Sequence, residues 1–164
     1  MSDKKSNSHL SLSTVEIPEA RYRADMDLHD RFQTFSGELL KIALGGLAVI
    51  GFFIALYVDR ENSPSMVGCI ETYLFWASLL FAAAGAFCMI HRFLASNGMF
   101  HHILVIKLLI VDPHPDDSNI IAEETTRNLK FKLSEMALKI SAILIIGAGF
   151  LLALTFKEIL SSIK

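Results

Sequence analysis

Four of the six histidines, His91, His101, His102 and His114, fall within one 24-position window, and three aspartates, Asp112, Asp116 and Asp117, surround Pro113 and Pro115. These residue types could do metal chemistry, because neutral imidazole is a ligand for zinc and haem iron and clustered carboxylates offer oxygens to divalent cations. The spacing argues against it. Consecutive residues on a helix point about 100° apart, so His101 and His102 diverge instead of converging on one ion. The HExxH pattern is missing, Cys88 has no CxxC partner, and the acidic turn lacks the glycine and glutamate of a calcium loop. The histidines therefore read as surface or headgroup contacts, and the aspartates as a solvated turn with helix-capping acids. There is no glycine-rich phosphate loop, no Ser/His/Asp arrangement in a convincing context, and no basic surface interleaved with aromatic residues. The expectation is a protein that is not an enzyme, carries no cofactor or metal and binds no nucleic acid.

The elements that must position any site are dominated by three stretches without a charged residue: Ile42–Val58, Thr72–Ile90 and Ile140–Phe156. A bilayer core of roughly 30 Å needs about 20 mainly apolar helical residues, and flanking aromatic and charged groups accommodate slightly shorter runs. With 52% hydrophobic residues and a mean hydropathy of +0.46, the expected fold class is an all-α membrane protein with three transmembrane helices. The bilayer is thus its first partner. In size and span count the chain is similar to the haem-anchoring subunits of succinate dehydrogenase. That likeness goes no further, because those subunits place a ligand histidine within a span, whereas only His91 approaches the membrane here. Cys69 and Cys88 fall towards opposite ends of the second span, too far apart for a disulfide.

Charge placement sets an expected orientation. Six Lys/Arg residues lie before or at the first span (Lys4, Lys5, Arg21, Arg23, Arg31, Lys41) and six lie between the second and third (Arg92, Lys107, Arg127, Lys130, Lys132, Lys139). The other side holds only Arg60, Lys157 and Lys164. The positive-inside rule then predicts a multi-pass inner (plasma) membrane protein with a cytoplasmic amino terminus and an external carboxyl terminus. Tyr57, Tyr73 and Trp76 fall at the predicted outer boundary and Lys41, Arg92 and Lys139 at the inner one, where amphipathic rings and snorkelling cations act as interfacial anchors. Glu38 and Glu71 occupy similar edges. No ionisable group lies in the middle of a span, which argues against a proton relay or an ion-coupled transporter.

Residues 1–17 have the polar composition of a disordered cytoplasmic tail, and 18–164 read as one three-span domain. Helices are predicted over 18–58, with Pro18 as a first helical residue, over 71–111, and over 118–160 with Ser118 or Asn119 as cap. At Asn97 and Gly98 the middle helix could kink. The apolar 103–111 run is too short to span and is read as helix. Leu129, Leu133, Met136 and Ile140 form one apolar stripe that needs cover. These features predict a cytoplasmic three-helix stalk, about 93–139 together with the segment around Phe32 and Phe35. Residues 59–69 are expected to form an external turn.

Small residues repeat along each span: Gly45, Ala48, Gly51 and Ala55 on the first; Ser78, Ala82 and Ala86 on the second; Gly149 and Ala153 on the third. Such faces let helix backbones approach closely. They are read as helix-packing surfaces, within the chain or between copies in a homo-oligomer. The functional expectation is a self-associating pore-forming or membrane-perturbing effector. The alternative is a membrane anchor or scaffold subunit of a larger complex that holds a cytoplasmic protein partner, with a haem-bearing version behind it.

Overall fold

In the computed structural model the described residues are 16–18, 20, 22–58, 67–111 and 117–162. They form three long helices: α1 (Arg23–Val58), α2 (Val67–Val111) and α3 (Asp117–Ser162). Each is long and apolar enough to cross a membrane. All four prolines, Pro18, Pro64, Pro113 and Pro115, stand outside the helices in the sequence, so every internal N–H can join its ladder. Most of the expected tail, turn and loop residues, including the aspartates at 112 and 116 and His114, lie outside the described residues.

The helix starts differ from expectation. Pro18 precedes α1, which begins five residues later, where the Met26 N–H donates to the Tyr22 carbonyl at 2.9 Å and makes Tyr22 the N-cap. Asp25 in that first turn suits the positive end of the helix dipole. Likewise α2 starts at Val67 and α3 already at Asp117, so Ser118 and Asn119 are helical and not caps. The Asn97–Gly98 pair does not interrupt α2, and 99–111 is helical.

Two compact units divide the chain. One combines residues up to Gln33 with Arg92–Glu135; the other combines Thr34–His91 with the part of α3 from Met136 onward. In the second unit, α1 buries Ser36, Leu39, Ala43 and Ile50, α2 buries Ile70, Leu74, Ala77, Phe81, Ala84, Cys88 and His91, and α3 buries Ala137, Leu138, Ser141, Ala148 and Thr155. The steps along α2 alternate between four and three. That seven-residue period is the contact repeat of helices packed knobs-into-holes at a shallow left-handed crossing. Close approach depends on Gly46, where a Cβ would run into the ring of buried Phe81.

The apolar pattern of this unit is inverted relative to a water-soluble bundle. Its buried seam is rich in Ala, Ser, Thr and Cys, whereas Phe52, Phe75, Ile143, Ile146 and Phe150 point outward, each more than 60% exposed.

In the first unit, Ala95, Gly98, Met99 and Val105 of α2 and Ser134 of α3 are buried. The ring of Phe131 on α3 packs so close to Gly98 that a Cβ there would sit 3.0 Å from it. Most of the apolar stripe expected to be covered is instead outward: Leu129 and Leu133 are exposed, as is Phe32 on α1 and, in the second unit, Phe35 and Met136, while Ile140 is half-buried. Beside this apolar packing, polar side chains also link the helices of the unit.

Candidate functional site

Those polar links centre on His101 and His102, which sequence reasoning assigned to the surface. On α2, His101 Nδ1 lies 2.7 Å from Glu123 Oε2 on α3, and His102 Nε2 lies 2.9 Å from Asp25 Oδ2 on α1. The roughly 100° between successive helical residues turns one imidazole to each neighbouring helix, which is the same divergence that argues against a shared metal. Both rings are about one-fifth exposed, so neither is a simple surface or headgroup contact. Arg127 of α3 adds a second bond to His102, from Nη1 to Nδ1 at 3.4 Å, and lies 3.6 Å from Glu124. Towards the other end of this unit, Gln33 of α1 donates through Nε2 to the Arg92 carbonyl at 3.3 Å and to Ser96 Oγ at 3.4 Å on α2. Among the described residues, no three His, Cys, Asp or Glu side chains are grouped so as to hold a metal ion.

In the second unit, the buried Ser141 hydroxyl donates to the Ala84 carbonyl at 3.1 Å, and Cys88 Sγ lies 2.9 Å from Ser141 Oγ. Ser141 has one hydroxyl hydrogen. With that hydrogen given to Ala84, the Cys88 thiol is the donor to Ser141. His91, expected at the membrane boundary, is buried in the seam.

The small residues singled out from sequence, apart from Ser78, face away from the seam. Gly45, Ala48, Gly51 and Ala55 on α1, Ala82 and Ala86 on α2, and Gly149 and Ala153 on α3 are exposed, while Ser78 is half-buried and donates to the Leu74 carbonyl in its own helix. A Cβ on Gly45, Gly51 or Gly149 would meet nothing within 4 Å. Packing within the chain uses a neighbouring set instead: Ala43 and Gly46, Ala77 and Ala84, and Ala148. Of the expected anchors, Trp76, Lys41, Arg92 and Lys139 are exposed and Tyr73 is half-buried. Lys41 is paired with Glu38 at 2.7 Å. The Tyr57 side chain lies outside the described residues.

Comparison with protein-family models, curated proteins and solved structures finds no match to this chain.

Proposed function

We propose that the chain is a three-span inner-membrane protein that works by associating with copies of itself and not by catalysis, acting as a pore-forming or membrane-perturbing effector. The observation that carries this reading is the set of outward faces around Gly45, Gly51 and Gly149, which have open space beside them in the single chain. In lipid, where tails are as apolar as leucine, helices associate through close backbone approach, and such faces supply it. The large outward Phe and Ile side chains of the same unit suit a lipid surround. The amino terminus and the 93–139 segment lie in the cytoplasm and the carboxyl terminus outside, because twelve of the fifteen Lys/Arg residues flank that side.

The test compares wild type with the triple variant G45L/G51L/G149L in lipid nanodiscs by native mass spectrometry, and in planar bilayers by conductance. Wild type is expected as several copies that conduct. The variant is expected as single copies with unchanged helix content and no conductance, since its added side chains enter empty space. A wild-type protein that stays single and never conducts defeats the proposal.

A second reading, an anchor subunit for a cytoplasmic protein, draws on a different observation: Phe93, Phe100, Ile121 and Leu129 of the first unit are exposed although they lie outside the three charge-free runs. It predicts a partner that co-purifies in fixed stoichiometry and is lost in F93S/F100S.

A further inference from the structure

Arg127 carries only donors, so its contact with His102 restricts the state of that ring. The Arg127 Nη1–H group points at Nδ1 of His102 from 3.4 Å, and a ring nitrogen accepts a hydrogen bond only when it holds no proton. The ring proton must then sit on Nε2, from which it donates to Asp25 Oδ2 at 2.9 Å. One neutral tautomer satisfies both contacts; the other tautomer and the imidazolium do not. In that state a single side chain of α2 fastens both α1 and α3.

The neighbouring imidazole behaves differently. His101 meets Glu123 through Nδ1, which donates equally well from a neutral ring or from an imidazolium. Among the described residues, the charged groups that face His102 are Asp25 from α1 and Arg127 from α3; Glu123 is taken by His101, and Glu124 stands 3.6 Å from the other terminal nitrogen of Arg127. His29, one turn along α1 from Asp25, is turned to Gln33.

We propose that His102 is a pH-sensitive joint of the first unit. Neutral, it holds Asp25 and Arg127 together. Protonated, it gains a hydrogen on Nδ1 that opposes the guanidinium as a second donor and a second positive charge, so the ring keeps Asp25 and releases Arg127 towards Glu124. The His101–Glu123 link survives, and α3 loses the fastening that Arg127 makes to α2. Imidazole is the side chain whose charge ordinarily changes between about pH 5 and pH 8. The inference goes beyond the proposed function and does not depend on it.

The experiment uses full-length protein labelled with ¹⁵N in histidine and arginine, held in lipid nanodiscs and followed by NMR from about pH 8 to about pH 5, with H102Q to assign the ring. At the upper end His102 is expected as the Nε2–H tautomer with a cross-peak from Nδ1 to Arg127. On acidification that cross-peak disappears as Nδ1 gains its proton, while the His101 signals retain their contact with Glu123. An Nδ1–H tautomer at pH 8, or an Arg127 cross-peak that persists in the doubly protonated ring, overturns the proposal from wild-type spectra alone.

Discussion

The pairing of Ser141 with Cys88 and the Ala84 carbonyl ties α2 to α3 at a point where both side chains are fully buried. Interhelical hydrogen bonds of this kind in membranes are worth about 0.6 kcal/mol on average and up to ~1.7. Ser141→Ala is therefore expected to destabilise the helical unit by about that range, read as a lowered unfolding midpoint in detergent titration. Ser141→Cys, which keeps a weak donor of similar size, should recover part of the loss. The two cysteines give a second residue-scale expectation, since Cys69 is exposed and Cys88 buried. In intact cells a membrane-impermeant maleimide should label Cys69 from outside and leave Cys88 unmodified until the protein is denatured. Labelling of Cys69 only after lysis would reverse the proposed orientation. The pairing of His101 and His102 across helices could not be read from one sequence, because the partners Glu123 and Asp25 lie 22 and 77 positions away. The signal present was the adjacency itself, since two neighbouring imidazoles on a helix must face two directions.

Among the helices, adjacent glycines on α1 make the clearest comparison. Gly45 faces open space and Gly46 faces the ring of Phe81. Alanine at position 45 gains helix propensity of up to about 1 kcal/mol with nothing to displace. The same change at 46 must push a ring that is itself buried, and overpacking of a tight seam costs typically about 1–3 kcal/mol. Thermal unfolding in dilute detergent should rank Gly45→Ala at or above wild type and Gly46→Ala below it by about 1 kcal/mol. Equal stability of the two variants would contradict this account of the seam. The existence, number and approximate ends of the helices were legible, because charge-free runs and proline placement fix them locally. The identity of the inward face was not. Hydrophobic periodicity finds a seam only where buried residues are more apolar than exposed ones, and here Ala77, Ala84, Cys88 and His91 face in while Phe75, Leu79 and Met89 face out. For the same reason the stripe through Leu129 and Leu133 looked like an interior surface and is an exterior one. Small-residue spacing came within one residue on α2, where Ser78 and Ala82 stand beside the true inward positions Ala77 and Phe81.

The molecule has three helices long and apolar enough to cross a membrane, and in the second unit they carry an apolar exterior over a finely fitted seam of mostly uncharged residues. This arrangement predicts that the protein stays in the membrane fraction through an alkaline carbonate wash and leaves it only with detergent. Recovery in the wash supernatant would show that the outward Phe and Ile residues are covered by something other than lipid. The inverted pattern also fixes how the chain can tolerate change. On its outer faces, leucine, isoleucine, phenylalanine and methionine should exchange freely, because a fluid solvent of alkyl chains does not discriminate among their shapes. Along the seam the rule is size, not polarity: serine for alanine should pass where leucine for alanine fails. A saturation scan of α2 would then trace a ripple of intolerance to bulk with a wavelength of three and a half residues, while a hydropathy plot of the same helix stays flat.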